Sequence, residues 1–418
     1  MIIVPGDKSI THRALLLAGI ARGKTRIVRP LASLDARSTA RVLRQLGVDV
    51  PPLRAATGPL VLTGRGRFRT PEATLHCGNS GTTARLLMGL LAAQPFAARL
   101  TGDRSLRKRP MRRVTEPLTA MGARFTPDQA DRLPLEIRGG RLSPLRWELP
   151  VSSAQLKSAI LLAGVAGGVP VSVREPAGRS RDHTERMLEA LGFRLAERDG
   201  WIDLAAGGPV PAFDMTIPGD PSSAAFLVGA GLLGRHAVTL GGVGLNPTRT
   251  GFLAVLRRMG AAVRAEASGA ALGEPIGTIH AAPGDLRATT VAPFEVPGLI
   301  DEIPLLAVVA ARATGTSRFE EVGELRVKES DRLALMADNL RRLGYRASGE
   351  GNGLTVEGSD HPPRGRIRTD GDHRIAMAFG VLSIVPGARI TIDDRDCAAV
   401  SFPGFFELLD GVRRGRIS

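Results

Sequence analysis

The sequence predicts an α/β chain folded as two globular groups of three repeats, and three observations carry that reading. An apolar helical stretch with a polar start recurs six times, beginning at Lys8, Asn79, Ser152, Asp220, Asp301 and Asp372, at spacings of 71, 73, 68, 81 and 71 residues. A second, amphipathic stretch closing on a glycine follows five of the six. Short strand-like segments bounded by Gly, Pro and Asp lie between them. Six units of about 70 residues could not stack as a solenoid without distinct capping repeats, so two compact groups of three are the economical solution.

The first helix of each repeat reads KSITHRALLLAG from Lys8, GNSGTTARLLMGLL over Gly78–Leu91, SSAQLKSAILLAG from Ser152, DPSSAAFLVGAGLL from Asp220, DEIPLLAVVAA from Asp301 and DHRIAMAFGVL from Asp372. The apolar runs are too uniform for a surface helix and predict burial on all sides. A buried helix whose start stays polar leaves its first N–H groups for an anion. The second helices are expected over Asp35–Val48, Arg109–Phe125, Arg181–Phe193, Asn246–Ala261 and Lys328–Tyr345, with left-handed C-caps at Gly47, Gly122, Gly192, Gly260 and Gly344. A sixth, from Phe402, is shortened by the end of the chain. Strands are expected at Ala98–Thr101, Pro170–Val173, Ala237–Leu240 and Arg389–Ile392. The turns Pro5-Gly6-Asp7 and Pro218-Gly219-Asp220 precede repeat helices and read as crossing points, giving one domain over 8–218 and a second from 1–7 plus 219–418.

At 418 residues, with 43% hydrophobic and 23% charged residues, the composition is that of globular domains with cores of their own. No apolar run reaches about 18 residues and MIIVPGDKS lacks a signal-peptide layout, so a cytoplasmic protein without a membrane partner is expected. Cys77 and Cys397 fit no metal or redox spacing and read as free thiols, and no metal is expected. The net charge of +15 raises nucleic-acid binding. Against it, the basic residues are spread along the chain, aromatics are 4% and no recognition motif occurs, so no nucleic-acid partner is expected. All but five of the 56 basic residues are arginine, a skew that reads as coding bias.

The polar helix starts and nearby turns collect Lys8, Arg13, Arg85, Arg109, Arg181, Lys328, Arg332 and Arg374. Ser9 and Arg13, and Lys8 and His12, share a helix face, and Lys328 and Arg332 are again four apart. One such cationic pair reads as solvated surface. Recurrence at helix starts, which already carry positive dipoles, points to a small, multiply anionic ligand. Asp301 can cap its helix or act in catalysis. Glu329, among cations, can be an ion-pair partner or a proton shuttle. His12, His183 and His373 read as caps or packing residues.

The segments Gly6–Arg13, Gly78–Arg85, Arg109-Pro110-Met111, Ser153-Ala154-Gln155, Arg181–Glu185, Asp301–Pro304, Lys328–Arg332, Asp372–Arg374 and Ser401-Phe402-Pro403 together resemble the 5-enolpyruvylshikimate-3-phosphate synthase family, in its order and from end to end. The resemblance implies a two-domain inside-out α/β barrel, each domain of three βαβαββ repeats, joined by a two-crossover hinge. It implies transfer of the enolpyruvyl group of phosphoenolpyruvate to the 5-hydroxyl of shikimate 3-phosphate, on the route to chorismate, without a cofactor. By similarity Lys8, Ser9, Arg13, Ser153, Gln155, Arg181, Asp301 and Lys328 hold shikimate 3-phosphate. Lys8, Gly81, Arg109, Arg332 and Arg374 hold phosphoenolpyruvate, and Asn79, Thr82 and Arg85 shape its pocket. Asp301, Glu329 and Lys8 carry the proton transfers. A monomer is expected.

The chain departs from the family pattern at Val400, where many members have a lysine near the Phe-Pro turn. Gly81 leaves the room that glyphosate, a phosphoenolpyruvate mimic, requires. The motifs Gly6-Asp7-Lys8, Ser153–Lys157, Arg181–Glu185 and Asn246–Arg249 are similar to the less sensitive class II, so intermediate tolerance is expected. Two rivals remain. A UDP-N-acetylglucosamine enolpyruvyl transferase usually carries a loop cysteine, absent from Thr101–Met111, and a basic RNA-binding protein would exploit the net charge.

Overall fold

The structure, a computed structural model, describes residues 1–53, 58–176 and 178–415. The tail of the expected second domain, 416–418, lies outside them. The chain divides into two compact units, one of residues 6–217 with 270–274, the other of 1–5, 218–269 and 275–418. The division falls inside Pro5-Gly6-Asp7 and immediately before Pro218-Gly219-Asp220, and 270–274, expected with the second group, cluster with the first.

The first unit carries helices α1 (Lys8–Ile20), α2 (Leu34–Gln45), α3 (Gly81–Ala92), α4 (Arg104–Lys108), α5 (Arg112–Ala120), α6 (Ala154–Gly167) and α7 (His183–Ala190). Helices α1, α3 and α6 are buried along almost their whole length, as their uniform apolar runs require. A Cβ at Gly89 of α3 would lie 2.2 Å from the carbonyl oxygen of Ala159 in α6, so only glycine permits this approach. Three sheets surround them. In one, Leu75–His76 runs parallel to Ala97–Thr101, which pairs antiparallel with Leu135–Arg138, and that strand antiparallel with Arg124–Pro127. Parallel neighbours need a crossover helix and antiparallel ones only a turn, so this order is the βαβαββ unit. Another sheet repeats it with Leu145–Glu148, Val171–Arg174, Trp201–Leu204 and Leu195–Arg198. In the remaining sheet, Arg22–Val28 takes its parallel neighbour, Asp214–Thr216, from far along the chain.

The second unit carries α8 (Pro221–Gly234), α9 (Gly251–Arg258), α10 (Ile303–Ala310), α11 (Arg332–Arg342), α12 (His373–Leu382) and α13 (Phe405–Arg413). Helices α8, α10 and α12 fill its centre. Its sheets follow the same plan, the last reduced to Arg364–Ile367 and Arg389–Ile392. Here the borrowed parallel strand is Ile2–Ile3, paired with Val238–Gly244.

The five expected C-cap glycines have φ between 82° and 114°, the left-handed caps the sequence called for. Four second helices start later than expected, the one from Arg181 by two residues, at His183. Arg109 precedes a proline that disfavours helical backbone, so it is extended (φ −78°, ψ 138°) as the C-cap of the short α4, and the helix expected over Arg109–Phe125 is α5, which starts only at Arg112. Asn246–Ala261 opens instead with a turn in which Asn246 Oδ1 accepts from Thr248 N (2.9 Å) and Oγ1 (2.7 Å). Lys328 sits past a 3-10 turn and outside α11, which Asp331 caps through Ala334 N at 2.9 Å. The helical face expected to bring Lys328 and Arg332 together is therefore absent.

Candidate functional site

The first unit gathers its candidates at the starts of α1, α3, α6 and α7. Asp7 caps α1 by accepting from Ile10 N at 2.8 Å, which leaves Lys8 and Ser9 half-buried in the first turn. Lys8 Nζ donates to Asp35 Oδ2 at 3.3 Å, and Arg181 Nη1 lies 3.5 Å from Ser9 Oγ. Arg13 is buried one turn on, its guanidinium taken up by Thr184 Oγ1 (2.8 Å), Ser158 Oγ (2.7 Å) and the Ser9 carbonyl (3.0 Å). Burial lowers its pKa to about 10, with Glu185 and Asp7 opposing that shift.

At α3, Asn79 is held on both sides, its Nδ2 donating to Asp103 at 2.7 Å and its Oδ1 accepting from Arg109 Nη2 at 2.6 Å. Arg85 donates to Gln155 Oε1 at 2.7 Å, and Gln155 Nε2 donates to Thr82 Oγ1 at 3.0 Å. Gly81, at the helix start, lies beside both Arg85 and Arg109. Ser153 precedes α6 in extended backbone with no side-chain cap bond, so its hydroxyl is not engaged in capping. The first unit thus joins Lys8, Ser9, Arg13 and Arg181 in one cluster, and Asn79, Gly81, Thr82, Arg85, Arg109 and Gln155 in another. Helix starts with cations held beside them offer the donors and positive charge that phosphate and carboxylate groups pair with.

The cluster of the second unit centres on Arg332, 1% exposed at its side chain and facing three carboxylates. Its Nε donates to Asp372 Oδ2 (2.8 Å), Nη1 to Asp301 Oδ1 (3.3 Å) and Nη2 to Glu329 Oε2 (2.5 Å). Burial alone would lower the Arg332 pKa, but Asp372, Glu329 and Asp301 outweigh it and raise it. Burial acts the opposite way on Asp372, where Arg332 and His373 hold the carboxyl below its usual range. Arg374 donates to the Asp301 carbonyl at 2.8 Å and its Nη2 lies 3.5 Å from Asp301 Oδ2. Asp301 therefore lies between two guanidinium groups and remains partly exposed. Lys328 makes no ion pair among the described residues, and burial lowers its pKa against the pull of Asp301 and Glu324. His373 starts α12, where Asp372 caps Arg374 N at 2.9 Å.

Sequence reasoning missed the buried groups behind these residues. Lys157 Nζ, fully buried, donates to Glu175 Oε2 at 2.7 Å and lies 2.8 Å from Glu185 Oε1. Arg249 donates to Ser222 Oγ at 2.8 Å, and Ser222 Oγ lies 3.4 Å from Arg374 Nη2. Asp35 as the partner of Lys8 was also unforeseen. The signal for the first two was a charged residue inside the otherwise apolar or turn-forming motifs SAQLK and NPTR. Among the described residues no group of three or more His, Cys, Asp or Glu could hold a metal ion, and no helix is long and apolar enough to cross a membrane. Both cysteines are free and buried.

A profile of EPSP synthase (3-phosphoshikimate 1-carboxyvinyltransferase) matches residues 1–409. The 3-phosphoshikimate 1-carboxyvinyltransferase of Thermus thermophilus is 46% identical over 409 residues, covering 97% of this chain and 94% of that protein. The one from Acidiphilium cryptum is 45% identical, covering 98% and 94%. The solved EPSP synthase of Acinetobacter baumannii superposes with a TM-score of 0.86 at 40% identity, over 98% of this chain and 95% of that one. The enolpyruvyl transferase NikO of Streptomyces tendae shares the fold, with a TM-score of 0.75 at 18% identity over 98% and 94%. A match of this extent, on a sixfold repeat whose helix starts collect cations, makes the chain a member of the EPSP synthase family.

Proposed function

We propose that the chain is an enolpyruvyl transferase that joins phosphoenolpyruvate to the 5-hydroxyl of shikimate 3-phosphate, giving 5-enolpyruvylshikimate 3-phosphate and phosphate on the route to chorismate. Membership of the family over residues 1–409 supports the reaction. The observation that carries the mechanism is Asp301, a partly exposed carboxylate between Arg332 and Arg374. Lys8, Ser9, Arg13, Ser153, Gln155, Arg181, Asp301 and Lys328 hold shikimate 3-phosphate. Lys8, Asn79, Gly81, Thr82, Arg109, Arg332 and Arg374 hold phosphoenolpyruvate, with Arg85 shaping its pocket.

In the addition step Asp301 accepts the 5-hydroxyl proton as that oxygen bonds to C2 of phosphoenolpyruvate, and Glu329 or Lys8 delivers a proton to C3. The product is a tetrahedral ketal phosphate bearing a methyl group. Loss of a methyl proton and cleavage of the C2–O bond to phosphate then form the enol ether, with Lys8 meeting the charge on the leaving phosphate. Fixed cations are arranged for this before the charge develops, which is where electrostatic catalysis is most effective. The same reading makes the protein a cytoplasmic monomer and a glyphosate target. A dimer by sedimentation velocity would remove the first of these.

One assay tests the reaction: phosphate release must require both phosphoenolpyruvate and shikimate 3-phosphate. Release with UDP-N-acetylglucosamine instead would favour the rival transferase, and absence of release with either acceptor would end the enzyme reading. Salt-dependent RNA binding that survives Lys8→Met and Asp301→Ala would support the nucleic-acid alternative.

A further inference from the structure

The segment Arg181-Asp182-His183-Thr184-Glu185 has an unusual division of labour. Arg181 is half-buried, while the four residues after it are buried and each engages a different partner. Asp182 Oδ2 lies 2.9 Å from Arg186 Nε, His183 Nδ1 lies 2.7 Å from Glu274 Oε1, Thr184 accepts from Arg13 at 2.8 Å, and Glu185 lies 2.8 Å from Lys157 Nζ. On the other side of Arg181, Ser180 is 5% exposed and its hydroxyl and N–H both donate to Glu175, the latter at 3.1 Å. The Lys157 ammonium closes the set, reaching Glu175 Oε2 (2.7 Å), Glu185 Oε1 (2.8 Å) and the Ser180 carbonyl (3.4 Å). One buried cation thus grips the backbone immediately before Arg181 and the side chain four residues after it.

A buried lysine with two carboxylates is a poor way to gain stability, because desolvation offsets most of the attraction. It is an effective way to fix geometry, since the ammonium faces oxygens of Glu175, Glu185 and Ser180 and, being buried, cannot relax into solvent. Lys157 lies on α6, whose start also carries Ser153 and Gln155, so the clamp refers Arg181 to the same helix that presents those two residues.

We propose that Lys157, with Glu175, is a positioning device for Arg181, and through it for the phosphate of shikimate 3-phosphate. The inference rests on the assignment of Arg181 to that phosphate. Neither Lys157 nor Glu175 touches substrate; their effect passes through the direction in which the Arg181 guanidinium is held. Loss of the clamp therefore weakens recognition of one substrate and leaves the chemistry of the other alone.

A double-mutant cycle in the full-length enzyme tests this. Arg181→Ala should raise KM for shikimate 3-phosphate at least tenfold with little change in KM for phosphoenolpyruvate; absence of that rise would remove the assignment of Arg181 itself. Lys157→Met should raise the same KM about fivefold to tenfold. In the Arg181→Ala background it should add less than twofold, because the group it positions is gone. Additive effects of the two, or equal rises in both KM values, would overturn the positioning role while leaving Arg181 in place. Lys157→Arg, which keeps charge and donors, should restore most of the lost affinity. Should Lys157→Met fail to fold, Glu175→Gln serves in its place, since it keeps the shape and removes the charge that holds Ser180. It should then show the same selective rise and the same lack of additivity, and an unchanged KM would overturn the proposal.

Discussion

Gly81 and Arg85 lie so close that a Cβ on the glycine would meet Arg85 Nη1 at 2.8 Å, and Arg109 Nη1 at 3.2 Å. The neighbours are tips of flexible side chains, so the clash is relieved by moving the cations that shape the proposed phosphoenolpyruvate pocket. Gly81→Ala should raise KM for phosphoenolpyruvate roughly fivefold, at a cost of about 1 kcal/mol, with KM for shikimate 3-phosphate nearly unchanged. Steady-state kinetics against each substrate checks this. The same methyl group should raise the glyphosate concentration for half-inhibition by more than it raises KM. The wild-type enzyme should show intermediate tolerance, and half-inhibition at low micromolar glyphosate under saturating phosphoenolpyruvate would contradict that.

Asp301→Asn removes a carboxylate that two arginines share while keeping its shape. As the general base it should cost roughly 10²- to 10⁴-fold in kcat. Arg332 keeps Asp372 and Glu329, so the thermal midpoint should move little. A pre-steady-state assay showing normal formation of the tetrahedral intermediate would rule Asp301 out of the addition step.

Arg332→Ala has a different expected signature. It strands Asp372, Glu329 and Asp301 without their shared cation, and breaking such a buried pair typically costs about 3–5 kcal/mol. Stability and phosphoenolpyruvate binding should fall together. Arg332→Lys should recover part of the stability but not the three-way geometry, because a single ammonium lacks the planar fork. Chemical denaturation and a phosphoenolpyruvate titration on both variants separate the two losses.

His12 gives a pH test. Burial, reinforced by Lys8 and Arg13, lowers its pKa to about 3, and its Nδ1 lies 2.7 Å from Thr39 Oγ1. A depressed histidine stays neutral in the folded protein while the unfolded chain takes up a proton below its ordinary pKa of 6.5. Its contribution to stability is present above that pH and is lost as pH falls through 6.5 toward 3, with a slope approaching about 1.4 kcal/mol per pH unit for one proton. His12→Asn should be less stable than wild type at pH 7.5 and should lose less stability on going from pH 6.5 to pH 4.5. Parallel curves for the two proteins would remove His12 from the acid response.

Much of this architecture was legible because it repeats. The six buried helices announced themselves through uniform apolar runs, and the closing glycines through a turn that other residues adopt with strain. What the sequence hid was where each second helix starts, since a proline after Arg109, an Asx turn at Asn246 and a 3-10 turn before Lys328 compete locally with helical periodicity. The cations of the site could be listed from their positions at helix starts. Their partners could not, because Lys8 with Asp35, Lys157 with Glu175 and Arg332 with Asp372 are joined over 27, 18 and 40 residues by the fold alone. The reading of His183 as a cap or packing residue likewise had no way to foresee Glu274, 91 residues on.

The two borrowed strands bear on the order in which the protein is made. Asp214–Thr216 is the last piece that the sheet of Arg22–Val28 needs, so the three sheets of the first unit can close as soon as that segment leaves the ribosome. Ile2–Ile3 is synthesised ahead of the first unit, yet its partner, Val238–Gly244, appears more than 230 residues later. That strand must therefore stay without this partner through the whole birth of the first unit, and residues made ahead of that unit are among the last to find their place.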